Sequence, residues 1–208
     1  MAHAISSGRL SDFVQAQETR AGVTPDERAK EALSQGDRRR ALCILMEAYG
    51  ETLHRYCHKV LRKSPLADDV HQLVFIQAFE DLASFSGASS FRPWLYAIAN
   101  HRCLDALKAS RRWFSRFVLE DELPDEEDPA PTGEEQAHWK STAEALSVCL
   151  GKLKPHVRIA VVLRYQEGFS YEEMAEICRE KPATLQARVA RVMPLLRVCL
   201  ENKGVVLR

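Results

Sequence analysis

Residues 121–128 read DELPDEED and are followed by Pro129, Pro131 and Gly133. Carboxylates at that density repel one another, and the breakers behind them cannot sit inside a helix or a sheet. A chain of 208 residues can hold one ordinary domain or two small ones, and this stretch reads as a linker that divides it into two modules. The 46% of hydrophobic residues suffices for two packed cores.

Both flanks carry the three-to-four-residue spacing of amphipathic helices, and neither shows a run of strict alternation. Before the acidic stretch, Leu42, Leu45, Tyr49, Leu53, Cys57 and Val60 mark one helix, which breaks at Ser64-Pro65. The next carries Leu66, Val70, Val74, Ala78 and Leu82 on one face. It also has Leu73, Phe75, Ile76 and Phe79, more apolar surface than one face needs, which points to a partner. The small residues of FSGASS (residues 85–90) make a turn, and a helix resumes over residues 91–112, ending in Lys108, Arg111 and Arg112.

Beyond the acidic stretch, Leu146, Cys149, Leu150 and Leu153 form a short helix, and Pro155 opens another carrying Ile159, Val162 and Leu163. Gly168 ends it. Ser170-Tyr171-Glu172-Glu173 is a capping box that starts a third helix with Met174 and Ile177 inward. A break over residues 179–182 precedes a fourth helix beginning near Thr184, with Leu185, Val189, Val192 and Leu196 inward. Two short helices joined by a tight turn, the second showing Gln186, Arg188 and Arg191, make a helix-turn-helix by pattern. The fold class is therefore all-α: two small helical domains joined by a flexible acidic linker, the C-terminal one a helix-turn-helix.

Three stretches resemble, in order, those of the extracytoplasmic-function RNA polymerase sigma factors. Residues 67–75 (ADDVHQLVF) are similar to the segment with which that family docks on the clamp of the polymerase largest subunit. The resemblance makes Asp69, Gln72 and Phe75 core-polymerase-binding residues, with Leu73, which stands where the family usually has glutamate, and Ile76 adding apolar contact. Residues 85–105, from FSG through FRPWLYAIANHRCLD, resemble the promoter-melting and minus-ten segment. Holding a strand open takes aromatic faces for unpaired bases and cations for phosphates. Phe85, Trp94, Tyr96, Arg92 and Asn100, with Lys108, Arg111 and Arg112 behind them, supply those parts. Without the surrounding match, Phe85, Phe91, Trp94 and Tyr96 would read as core. Residues 168–177 and 184–191 look like the minus-thirty-five helix-turn-helix, which assigns Thr184, Gln186, Arg188 and Arg191 to DNA. Arg179 replaces a frequent turn glycine there, Glu180 a usual apolar residue and Ala187 a common serine.

The implied organisation is an N-terminal extension over residues 1–35, floppy by default, a region 2-like domain over 36–114, the linker over 115–140 and a region 4-like domain over 141–203. The linker reads most simply as a solubilising spacer. The implied partners are core RNA polymerase, at its clamp and flap regions, promoter DNA and an anti-sigma factor. The implied function is an alternative sigma factor that binds core polymerase, directs it to specific promoters and helps melt them. It is not an enzyme. A stand-alone helix-turn-helix regulator and a sigma-like protein that sequesters a partner without initiating are the alternatives.

The remaining features carry structural expectations. Lys plus Arg balances Asp plus Glu, so no uniformly basic coat is present. No apolar run has the length of a membrane span and the first residues are polar, so a cytoplasmic location without membrane insertion is expected. The six cysteines, Cys43, Cys57, Cys103, Cys149, Cys178 and Cys199, lack metal or redox spacing and read as buried thiols. Arg102 is expected to lie along the core with Asp105 as its partner. His54, His58 and His71 flank helices of the first module without a known ligand motif, and no metal or other cofactor is expected.

Overall fold

The computed structural model describes residues 23–62, 65–85, 87, 90–117 and 134–205, with side chains described except over 111–117 and 134–141. Every regular element among these residues is helical. The acidic run of residues 121–128 and the first 22 residues lie outside the described residues.

Helix α1 (Pro25–Ser34) begins where chemistry favours a start. Thr24 and Glu27 form a reciprocal capping box, Pro25 occupies the first turn, and Asp26 and Glu27 face the positive helix end. It ends at Gly36, whose φ of 78° lets the Asp37 amide turn back onto the Ala32 carbonyl at 2.9 Å. Asp37 then caps α2 (Arg38–Val60) by accepting from the Arg40 amide at 2.9 Å. The expected floppy extension is thus corrected for its last part. Ala29 and Ala32 are buried, and Asp26 accepts from the Tyr49 hydroxyl at 2.6 Å and from the Phe91 amide at 2.9 Å. One carboxylate fastens α1 to α2 and caps α4.

Helix α3 (Leu66–Asp81) runs on through a 3-10 turn at Leu82–Ser84, and α4 spans Phe91–Phe117. The second module holds α5 (Glu134–Gly151), α6 (Pro155–Val161) with a π-helical turn at Val162–Gln166, α7 (Tyr171–Cys178) and α8 (Pro182–Glu201). Both helices bordering the acidic stretch reach into residues 115–140, the span expected to be linker. Ser170 and Glu173 form the expected capping box at 3.1 and 2.8 Å. Helix α8 starts two residues before Thr184 because Pro182, with its preset φ, takes the first turn. Arg179 holds the left-handed conformation, φ 55° and ψ 43°, that the turn between α7 and α8 demands and that glycine meets without strain. Leu146, expected inward, is exposed; Cys149 and Leu150 carry that side of α5.

The cysteine expectation is corrected. Cys149 and Cys199 form a disulfide with Cα atoms 6.0 Å apart, joining α5 to α8. Cys43 is exposed and Cys178 half-buried, leaving Cys57 and Cys103 as buried thiols. The apolar core passes continuously from Leu45 and Tyr56 through Tyr96 to Phe169, Met174 and Leu185. The two modules therefore pack on each other, with α4 against α7.

Candidate functional site

On α3 the positions 69, 72, 73 and 76 fall within about 100° of arc at 3.6 residues per turn. Asp69, Gln72, Leu73 and Ile76 are all exposed, and the two apolar side chains remain 45% and 55% accessible. An outward aliphatic stripe beside an acid and an amide is a docking surface by its chemistry. Phe75, expected to join them, lies beside the stripe on the buried side of Gln72, is 5% exposed, and packs edge-on to His71 at 5.3 Å. It supports the stripe from beneath.

At the start of α4, Phe91 is fully buried and forms the floor of an aromatic corner. Phe85 stacks on it at 4.3 Å and Trp94 leans on both, at 5.1 Å from Phe85 and 6.0 Å from Phe91. Phe85 and Trp94 stay half-buried, so each keeps part of a π-face for another ring. The turn residues Ser86, Ala88 and Ser89 lie outside the described residues, as do the side chains of Arg111 and Arg112. Lys108 is exposed and paired with Asp105 at 3.6 Å. Arg102 donates to Gln77 of α3 instead of the expected Asp105, which pairs with His101 at 3.2 Å.

Arg92, Tyr96 and Asn100 recur every four residues and share the face of α4 that meets the second module. In this structure none of the three, expected to contact DNA, faces water freely. The Arg92 guanidinium lies 4.1 Å over the Phe169 ring and donates to the Glu167 carbonyl. The Tyr96 hydroxyl donates to the Glu167 carboxylate, its ring edge-on to Phe169 at 4.9 Å. Asn100 accepts from Tyr56 at 3.4 Å and donates to the Ile177 carbonyl at 3.3 Å. Tyr96 is wholly buried and Asn100 nearly so. Burial pushes the Glu167 carboxyl above the usual carboxylate range, against the pull of Tyr96, Arg92 and Lys59.

Two further contacts close this face. Lys59 donates to Gln166, and the buried Arg158 donates to the Val60 carbonyl at 2.6 Å, where α2 leaves carbonyls unpaired. Desolvation, with Arg62 nearby, lowers the Arg158 guanidinium to about 10. Its Nε atom has no hydrogen-bond partner among the described residues. Glu167, Phe169 and Arg158 escaped the sequence reading because their partners lie in the other module.

In the helix-turn-helix, Thr184, Gln186 and Arg191 are exposed on α8, with Arg191 Nε also donating to the Ala187 carbonyl at 3.1 Å. Arg188 does not face water freely as its position predicted. Its guanidinium grips Glu180 with two hydrogen bonds, one of 2.8 Å, holding that carboxyl below its usual range. Glu180, noted in the sequence only for replacing an apolar residue, is thus the partner of a presumed DNA reader. No helix among the described residues is long and apolar enough to cross a membrane.

Comparison with known proteins adds the following findings. Residues 45–113 match the Sigma-70 region 2 model, and residues 143–193 match Sigma-70, region 4. The chain is 30% identical over 191 residues to the RNA polymerase sigma-H factor of Pseudomonas aeruginosa, covering 83% of this chain and 96% of that protein. It is 38% identical over 80 residues to a probable RNA polymerase sigma factor of Haemophilus influenzae, covering 38% of this chain and 39% of that protein. Among solved structures, the sigma factor RpoE in complex with the anti-sigma factor NepR from Bartonella quintana has the same fold. Its TM-score is 0.59 at 22% identity, over 78% of this chain and 96% of that one.

Proposed function

The chain belongs to the extracytoplasmic-function class of RNA polymerase sigma factors, with Sigma-70 regions 2 and 4, and we propose that its exposed surfaces divide the work of initiation between its two modules. As a sigma factor it initiates transcription at specific promoters, and the chemistry of RNA synthesis belongs to the polymerase. The α3 stripe of Asp69, Gln72, Leu73 and Ile76 docks on the polymerase clamp. Phe85 and Trp94 stack on unpaired bases of the minus-ten element and help to melt it. Thr184, Gln186 and Arg191, joined by Arg188 once Glu180 releases it, contact the minus-thirty-five element. Region 4 also meets the polymerase flap.

The observation that carries this division is the outward stripe on α3 lying one helix away from the half-open aromatic corner of α4. Apolar docking surface and base-stacking surface then belong to one rigid unit. In this reading Arg92, Tyr96 and Asn100 reach DNA only after region 4 leaves α4, so promoter engagement and separation of the modules are one event. An anti-sigma factor would hold the protein inactive in the cytoplasm, as NepR is complexed with its sigma factor in Bartonella quintana.

Runoff transcription tests the proposal. Promoter-specific transcript should require both core polymerase and this protein, and Leu73→Asp should abolish it while the folded chain still binds duplex promoter DNA. Tight, specific duplex binding with no association with core polymerase would instead favour a stand-alone regulator.

A further inference from the structure

His54 and His58 stand one turn apart on α2, and Asp68 enters from the first turn of α3. Their donor atoms converge: His54 Nε2 lies 2.8 Å from Asp68 Oδ1, His58 Nε2 lies 3.0 Å from the same oxygen, and the two nitrogens are 3.1 Å apart. Hydrogen bonds alone satisfy this triangle poorly. If both Nε2 atoms carry protons for the carboxylate, two N–H groups crowd each other; if one does not, its lone pair stands beside the carboxylate oxygen, two acceptors facing one another.

A metal ion removes the conflict. Three donors at about 2.1 Å from an ion on one face of an octahedron lie about 3.0 Å from each other, whereas tetrahedral placement needs about 3.4 Å. The observed sides of 2.8, 3.0 and 3.1 Å match the octahedral face. We propose that His54, His58 and Asp68 form a facial two-histidine, one-carboxylate site for a divalent first-row transition ion.

The surroundings suit that role. His71 Nε2 meets the Gly50 carbonyl at 3.0 Å and is therefore engaged elsewhere, while its ring sets an edge against His54 with centroids 5.2 Å apart. That contact packs one ring against the other and limits how the His54 imidazole can turn. Side-chain accessibilities of 44%, 27% and 59% for His54, His58 and Asp68 leave the outer face open to water for the remaining coordination positions. The ion staples α2 to α3 beside the exposed Asp69. The sequence offered no ligand motif among His54, His58 and His71 and led to no metal being expected, because the carboxylate is brought back only by the turn after α2.

Titration of the full-length chain with Co(II), followed by visible absorption and calorimetry, tests the site. One equivalent should bind, giving the weak bands of nitrogen and oxygen ligation without a sulfur charge-transfer band in the near ultraviolet. His58→Ala and Asp68→Asn should each weaken binding by at least about tenfold. His101→Ala, which removes another exposed histidine paired with a carboxylate, should leave it unchanged. Thermal unfolding without metal should be alike in all four proteins, because each replaced group is at least partly exposed. Absence of binding at millimolar Co(II), equal binding by every variant, or a sulfur band lost on thiol alkylation would each overturn the proposal.

Discussion

Replacing Glu167 tests whether the two modules are held together as described. Glu167→Ala removes the acceptor of the Tyr96 hydroxyl and leaves a phenol without it at a buried site. An unsatisfied buried donor costs about 1–3 kcal/mol, and a value of about 2 shifts the ratio of open to closed molecules roughly 30-fold toward open. Glu167→Gln keeps the acceptor but removes the charge. Because burial raises the Glu167 carboxyl despite the cations around it, the neutral isostere should favour closure at neutral pH. The sign of the pH effect follows. A raised carboxyl binds its proton more tightly in the closed form, so protonation favours closure. That contribution is full below the ordinary carboxylate value and is lost as pH rises through the raised one. Pulsed dipolar distances between spin labels on Cys43, which is exposed, and on Ala183→Cys would read the populations in a Cys178→Ser background. Open molecules should dominate more in the alanine variant and less in the glutamine variant, and wild type should close on mild acidification. A shift of both variants in the same direction, or distances insensitive to pH, would refute the reasoning.

Three further outcomes are expected. Glu180→Ala frees Arg188, so non-specific DNA binding measured by anisotropy should strengthen and its salt dependence should steepen by about one phosphate contact; an unchanged slope would mean that Arg188 stays away from DNA. Ile76→Asp should cost core-polymerase affinity at least about tenfold in a pulldown titration, while stability to heat changes by no more than about 0.5 kcal/mol, because the side chain is exposed. Reduction of Cys149–Cys199, which spans 50 positions, should destabilise the chain by up to about 4 kcal/mol by loop entropy; a reductant that lowers Tm equally in Cys199→Ser would contradict this.

Local chemistry was legible in the sequence, and encounters between distant segments were not. The Ser170 capping box and the inward faces of α2 and α8 follow from spacing alone, since each partner lies within a turn or two. Asp26 gave no such signal, although it closes the N-terminus of α4 from 65 positions away. Tyr96 and Asn100 have the residue types of base-reading side chains, yet Glu167 and Ile177, 71 and 77 positions later, meet them first. Phe75 sits in a docking-type segment but on the buried side of its helix, a distinction that depends on which face α2 covers. The cysteine pair had no motif because its geometry belongs to the crossing of α5 and α8.

The 77 positions between Asn100 and Ile177 also set a clock. A ribosome adding about 5–20 residues per second needs roughly 4–15 s to make the second partner after the first. Until Phe169 is made, late in that interval, the face of α4 that it will cover is already synthesised and still bare. A nascent factor thus has a window in which the α4 face of its first module stands uncovered without any separation of modules, because its own C-terminal half has not yet arrived to cover it.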